Sequence, residues 1–167
     1  ITNGVVAHRG AWTESIPQNS IAALRRAIEL GCAASEFDVR MTVDGQVVVN
    51  HDATYNNVHI ASSTYDEVRK LKLTNGEAFP SLKEYLAEAI KQNNTRLVLE
   101  IKADSTSDDY CDRLVRAVMA DIREIDAQEW ITIITFSKGV MMSALKYEPS
   151  MGVGYLNGDL SPAELKK

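Results

Sequence analysis

Four short runs with strand-like patterning carry or end in side chains that can bind metals or transfer protons. These side chains are imidazoles, carboxylates, a guanidinium and an ammonium group. Together such groups can bind a divalent cation, hold an anion and act as general acid and base. They lie in the segments His8-Arg9-Gly10, Glu36-Phe37-Asp38, His51-Asp52 and Glu100-Ile101-Lys102.

Paired carboxylates are the main indication of a metal site. Glu36 and Asp38 are two residues apart, so the strand period of two places both on one face. Like charges this close raise each other's pKa, and a divalent cation with oxygen ligands offsets the cost of burying them. Solvated acids on an exposed edge strand are the alternative. Glu100 adds a third carboxylate on the same face as Lys102, where a structural salt bridge is the alternative.

Two histidines, His8 and His51, are candidates for proton transfer. For a single histidine at a strand end, a hydrogen-bonded structural role is commoner. Residues 42–46 join two predicted strands and are too few for a crossover helix. Their Asp-Gly pair predicts a two-residue hairpin turn, which would place His51 opposite Asp38 and on the same face. Taken together, the histidines and acids favour a metal site.

The elements that must position these groups alternate between strand and helix, the pattern of parallel β/α folds. In such folds the carboxyl ends of the strands form the active site. Ser20 and Gly31 are the start and stop signals of a helix, and Ser81 with Glu84 predicts a capping box. Another helix is predicted to begin at Ser161-Pro162 and to be cut short at Lys167. The predicted strands are Val5–Ala7, Glu36–Arg40, Val47–Asn50, Leu97–Ile101, Ile131–Thr135 and Gly152–Tyr155, and the predicted helices are Ile21–Leu30, Ser81–Ile90 and Asp108–Ile125.

Composition excludes several classes of protein. With 45% hydrophobic and 25% charged residues, residues 1–167 are expected to form one soluble globular domain. The net charge of -5 disfavours nucleic acid or an anionic membrane as the main partner. No apolar run reaches the roughly 18 residues of a membrane span, so no stable membrane insertion is expected. Because the chain begins at Ile1, we interpret its N-terminus as trimmed, which leaves cytoplasmic, periplasmic and secreted locations open.

At these residues the sequence resembles the glycerophosphodiester phosphodiesterase family. That family carries His-Arg-Gly, Glu-x-Asp, His-Asp and Glu-x-Lys motifs in the order found here. Segment 17–20 reads Pro-Gln-Asn-Ser where the family usually reads Pro-Glu-Asn-Thr, so Gln18 replaces a carboxylate. Two further segments are similar to the family, namely Thr42-Val43-Asp44-Gly45 and Asn75-Gly76-Glu77 with Pro80-Ser81-Leu82.

The resemblance implies a TIM-type (β/α)8 barrel that hydrolyses glycerophosphodiesters to glycerol 3-phosphate and an alcohol, as part of lipid and glycerol metabolism. It also implies one divalent metal ion, Mg or Ca, and a small-molecule substrate. The family is thought to use a glycerol hydroxyl as the first nucleophile, through a cyclic phosphate. The residue roles implied are metal ligands at Glu36, Asp38 and Glu100, general acid and base at His8 and His51, and phosphate binding at Arg9 and Lys102.

A complete barrel of this type has eight strands and typically about 250 residues. Six strands are predicted here, so we expect an incomplete barrel that lacks its C-terminal part. Its open sheet edges make self-association a further expectation. Two other functions stay open, namely a phosphodiesterase of the same barrel class that acts on an intact phospholipid, and a non-catalytic barrel that binds a phosphodiester. The full set of histidines and acids favours an enzyme.

Overall fold

A computed structural model describes residues 3–165, so the first and last residues of the sequence, Ile1 and Lys167, lie outside the described range. All six predicted strands are present to within two residues of the predicted bounds. Two further short strands, which were not predicted, pair with each other as a hairpin. The strands are β1 (Val6–Ala7), β2 (Ala34–Met41), β3 (Val47–Val49), β4 (Thr54–Tyr55), β5 (Val58–His59), β6 (Arg96–Ile101), β7 (Ile131–Thr135) and β8 (Val153–Tyr155).

The helices alternate with the strands. Ser20 accepts a hydrogen bond from the N–H of Ala23, and Gly31 follows the first helix with φ +68°, as predicted. Ser81 likewise accepts from Glu84 N–H, but the reciprocal pair of a capping box is formed at Thr64 and Glu67 instead. The helices are α1 (Ile21–Glu29), α2 (Tyr65–Val68), α3 (Leu82–Ala89), α4 (Asp108–Ile125), α5 (Lys138–Tyr147) and α6 (Pro162–Leu165), with 3-10 turns at Ile60–Ser62 and Gln128–Trp130.

Six of these strands form one sheet, in which β2 pairs with β1, β3 and β6, and β4 pairs with β5 in a separate sheet. The order of the six-stranded sheet is β1-β2-β6-β7-β8, with parallel pairing throughout, and β3 pairs with β2 in the antiparallel direction. Within residues 3–165 the sheet stays open, with β1 and β8 at its edges. The strands and helices have the arrangement of a TIM-type barrel that these residues do not close, as expected. Self-association through the open edges stays a prediction.

The main core lies between the sheet and helices α1, α3, α4 and α5. Phe37 of β2 points into this core and stacks on Tyr85 of α3, with ring centroids 4.3 Å apart. Because side chains alternate along a strand, Glu36 and Asp38 point to the other face of the sheet. The hydrophobic packing of β2 therefore fixes which face carries the carboxylates.

Residues 52–79, between β3 and α3, form an inserted segment with its own small apolar cluster. Ile60, Val68 and Phe79 lie at the centre of that cluster and pack against Val48 of the sheet. His59 is exposed and belongs to the short strand β5. None of the helices in the described part of the chain is long and apolar enough to cross a bilayer.

The hairpin register between β2 and β3 differs from the prediction by one residue. Val39 pairs with Val49, and the loop closes where Thr42 N–H donates to the carbonyl of Gln46 at 2.8 Å. The loop therefore has three residues, the last of which is Gly45 at φ +81°. A shift of one residue moves a side chain to the other face of a strand. The prediction that His51 lies opposite Asp38 was wrong, because the backbone partner of Asp38 is Asn50.

Asp121 of α4 makes the stability of the fold depend on pH. Burial raises the pKa of its carboxyl from 3.8 to about 6. The folded state thus keeps this proton to higher pH than the unfolded chain, and the resulting stability is complete below about pH 4 and lost as the pH rises through 6. We expect Asp121→Asn to change the melting temperature little near pH 4 and to raise it near pH 8. A difference between variant and wild type that is constant over this range would contradict the prediction.

Candidate active site

Three carboxylates from two adjacent strands meet at one face of the sheet. Glu36 and Asp38 belong to β2 and Glu100 belongs to β6, where it pairs in register with Asp38. One oxygen of each carboxylate lies within 4.8 Å of the others. Their exposed fractions are 5%, 0% and 7%. Since β2 is a central strand and all three acids are buried, the alternative of solvated acids on an exposed edge is excluded.

Two cations lie beside the carboxylates. Lys102 Nζ is 2.9 Å from Glu100 Oε1 and 3.6 Å from Asp38 Oδ1, and Arg9 Nε is 3.8 Å from Asp38 Oδ2. With all three acids ionised, these two cations leave one net negative charge. Burial, and then the charge of Asp38, raise the pKa of the Glu36 carboxyl to about 7. The cluster therefore resists full ionisation unless further positive charge is supplied.

The cluster offers oxygens that fit a divalent metal ion. Among residues 3–165, Glu36 Oε1 and Asp38 Oδ1 are buried and lack any hydrogen-bond partner. Buried oxygens of this kind are rare in proteins, and several carboxylates around one point are the ligands that Mg²⁺ and Ca²⁺ prefer. The three acids thus provide both the ligand atoms and the negative charge that such an ion needs.

The turn after β1 brings a histidine and an arginine to the same cluster. Arg9 and Gly10 both have left-handed backbone conformations, with φ +58° and +79°. Arg9 N–H donates to Glu36 Oε2 at 2.9 Å, and Gly10 N–H donates to the Glu36 carbonyl at 3.1 Å. His8 Nε2 lies 3.8 Å from Glu36 Oε2, and its side chain is 68% exposed. His8 therefore combines contact with the cluster and access to solvent.

His51 reaches the site by a different route from the one predicted. Its Nδ1 lies 2.7 Å from Asp52 Oδ1, and its carbonyl accepts two hydrogen bonds from Arg40 at 2.9 and 2.8 Å. Together with Arg9 and Asn19 it lines a cavity of about 220 Å³. His51 thus shares a pocket with Arg9 and Asn19, which contact Asp38, and it is not the cross-strand partner of Asp38.

A larger cavity, of about 660 Å³, opens at the carboxyl ends of β6, β7 and β8. Glu100 and Lys102 belong to its wall, so it is continuous with the acidic cluster. Phe136 and Met142 also line it and are 53% and 50% exposed. The volume is sufficient for a small organic molecule beside the carboxylates.

The model of the glycerophosphoryl diester phosphodiesterase family matches residues 8–158 of the chain. The matched range includes every residue of the cluster and both histidines. The chain belongs to this family.

Individual members of the glycerophosphodiester phosphodiesterase group support the assignment. A glycerophosphodiester phosphodiesterase from Caldanaerobacter subterraneus subsp. tengcongensis is 31% identical over 165 residues, covering 91% of this chain and 65% of the relative. The chain therefore spans just under two thirds of that relative's length. The crystal structure of a glycerophosphodiester phosphodiesterase from Parabacteroides distasonis is 40% identical, with a TM-score of 0.92, over 98% of this chain and 68% of that one.

A second similar structure is that of a phosphodiesterase from Oleispira antarctica in complex with the product sn-glycerol-3-phosphate. It is 24% identical with a TM-score of 0.83, over 99% of this chain and 70% of that one, and it shows the shared fold.

Two residues of this phosphodiesterase family member contact the site without having been predicted to do so. The side-chain amide of Asn19 makes two hydrogen bonds with Asp38. Its Nδ2 donates to Oδ2 at 3.0 Å, and its Oδ1 accepts from the backbone N–H at 3.1 Å. Gln18, which replaces the usual glutamate, accepts from Arg9 Nη1 at 2.7 Å. Asparagine tolerates the left-handed backbone region. An asparagine just before the helix-capping Ser20 was therefore the one sequence feature that indicated a special conformation at this position. Its partner 19 residues further along the chain could not be read from the sequence.

Proposed function

We propose that the protein hydrolyses glycerophosphodiesters to glycerol 3-phosphate and an alcohol. The observation that carries the proposal is the buried cluster of Glu36, Asp38 and Glu100 beside Arg9 and Lys102. Two oxygens of this cluster accept no hydrogen bond from the described residues. Membership of the family supplies the class of reaction. These five residues supply the means to bind a phosphodiester.

The metal ion is proposed to be Mg²⁺ or Ca²⁺, with the three carboxylates as its ligands. When bound, such an ion would polarise a phosphate oxygen and neutralise charge that develops there. Arg9 and Lys102 would hold the remaining phosphate oxygens, because their side chains are 22% and 17% exposed and reach the same cluster. The carboxylates that both cations face hold them in place, so the phosphate would be bound by positive charges whose positions the protein fixes.

The two histidines would divide the proton transfers of the reaction. The hydrogen bond to Asp52 orients the ring of His51 and leaves its Nε2 available to the substrate. The same hydrogen bond holds the pKa of Asp52 below its usual range, so Asp52 stays ionised beside the ring. His8 presents an exposed imidazole next to Glu36. One imidazole would take the proton of the attacking hydroxyl, and the other would protonate the departing oxygen.

The test is release of glycerol phosphate from glycerophosphocholine and glycerophosphoethanolamine with Mg²⁺, Ca²⁺ or a chelator. We expect metal-dependent release, and we expect His51→Ala to reduce it by about 10² to 10⁴, the usual contribution of a general acid or base. His59→Ala is the matched control, because His59 is an exposed histidine of the inserted segment. A folded wild-type protein that releases no product with either metal would refute the proposed function.

A second candidate is the same cleavage on an intact phospholipid. It is favoured by the exposed Phe136 and Met142 on the wall of the larger cavity, which could contact an acyl chain. The assay separates the two if phosphatidylcholine vesicles replace the water-soluble diester. Metal-dependent binding of the diester without turnover would instead indicate a non-catalytic phosphodiester-binding barrel.

A further inference from the structure

Glu77 belongs to the inserted segment and contacts an element outside it, the first turn of α1. Its Oε1 accepts a hydrogen bond from Ala22 N–H at 3.1 Å. The first turn of α1 has no acidic residue of its own, so negative charge at this positively polarised helix end comes from a residue 55 positions away. The second oxygen of Glu77 accepts from Asn75 Nδ2 at 2.5 Å, and Glu77 N–H donates to Asn75 Oδ1 at 3.1 Å. The carboxylate that holds α1 is therefore fixed in turn by Asn75.

The start of α1 is also where the acidic cluster is held. Asn19 lies two residues before the first residue of the helix, is 3% exposed and has φ +55°. Its amide group makes both hydrogen bonds to Asp38 described above, and its own N–H donates to the Arg9 carbonyl at 3.0 Å. Any displacement of this turn would move Asn19 and, through it, the carboxylate of Asp38.

We propose that Glu77 is a positioning residue for Asp38, acting through the start of α1 and the side chain of Asn19. The inference rests on the proposed function, because it takes Asp38 as a metal ligand. With Oδ2 held by Asn19, the orientation of the whole carboxylate is set, including Oδ1, which accepts no hydrogen bond from the described residues. Groups that orient metal ligands in this way strongly influence metal affinity. The Gly-Glu motif of the inserted segment thereby gains a role in the site.

Metal affinity measured by calorimetry without substrate tests the inference. We expect Asn19→Gly, which accommodates the positive φ, to weaken Mg²⁺ or Ca²⁺ binding by about 10- to 100-fold. Glu77→Ala, one contact further from the ligand, should weaken it by at least about fivefold. Glu67→Ala is the matched control, since Glu67 also accepts a backbone N–H at a helix start of the same segment, from Thr64 at 2.7 Å. An affinity for Glu77→Ala that equals that of the control would overturn the proposal.

A double-mutant cycle tests the route. If Glu77 acts through Asn19, Glu77→Ala should cause no further loss of metal affinity in the Asn19→Gly background. Losses that multiply independently would show that Glu77 affects the site by another path, and the proposed relay would be wrong.

A readout in the metal-free protein separates this inference from the proposed function. The Asn19 side-chain amide and the Asp38 backbone amide are suitable nuclear magnetic resonance probes, because they form the two hydrogen bonds between these residues. We expect Glu77→Ala to shift both and Glu67→Ala to leave both in place. Unchanged signals in Glu77→Ala would reject the relay. If Glu77→Ala shifts both signals but the wild-type protein neither binds metal nor hydrolyses a diester, the relay stands and the proposed function is rejected instead.

Discussion

Replacement of Asp38 by asparagine is expected to abolish metal binding and to reduce diester hydrolysis by more than about a hundredfold, the loss seen when even a residue supporting a ligand is removed. Asp38 is fully buried between the other two acids and is held by Asn19. Asparagine has nearly the same shape but lacks the charge, and its amide nitrogen cannot serve as a ligand for a hard cation. The loss should therefore reflect chemistry rather than misfolding.

The same substitution is expected to leave the metal-free protein at least as stable as the wild type. Three buried acids face two cations, and the charge of Asp38 contributes to the raised pKa of Glu36. Removal of one acid relieves this repulsion. Calorimetric metal titration and thermal unfolding near pH 8 check the two expectations together.

Glu88→Gln provides the contrast to Asp38→Asn. Glu88 pairs with Arg25 and Lys91, which hold the pKa of its carboxyl at about 2. Loss of this carboxylate should lower stability and leave metal affinity unchanged. If Asp38→Asn binds Mg²⁺ or Ca²⁺ as tightly as the wild type, the three-acid cluster is not the metal site.

The carboxylates could be predicted from sequence because their placement depends on local rules. The period of a strand puts Glu36 and Asp38 on the face opposite Phe37, and the structure confirms this. The hairpin register could not be fixed in the same way. An Asp-Gly pair suits a two-residue turn, but glycine after a type I turn also suits the three-residue loop found here. The difference of one residue in the length of the loop decides whether Asn50 or His51 lies opposite Asp38.

Helix α5 was missed because its sequence has weak helical periodicity. Val140, Met141 and Ala144 are buried, but Met142 and Leu145 are apolar and exposed, so no polar face stands out. The remaining signal was Ser137, whose hydroxyl accepts from Val140 N–H at 3.2 Å.

The contacts of Asn19 and Glu77 were missed for another reason. Their partners lie 19 and 55 residues away, and only the tertiary fold brings them together.

Gly10→Ala is the second substitution expected to have a large effect. A Cβ atom at Gly10 would lie 2.6 Å from the Cβ and 2.9 Å from the carbonyl carbon of Ala23, which is fully buried in α1. The residue also has φ +79°, a conformation that costs an L-residue about 1–2 kcal/mol. Strain and overpacking together should lower the free energy of unfolding by about 2 to 5 kcal/mol, as measured by urea denaturation.

Gly45→Ala separates the two causes, because Gly45 has φ +81° but open space where the Cβ would stand. The free energy of unfolding of Gly45→Ala should fall only by the conformational cost of the positive φ, about 1–2 kcal/mol. Equal losses in both variants would show that contact with Ala23 contributes nothing. A larger loss at Gly10 should be accompanied by weaker metal binding. Either α1 or the His8-Arg9 turn must move to admit the methyl group, and the hydrogen bonds from Arg9 and Asn19 to the carboxylates depend on both.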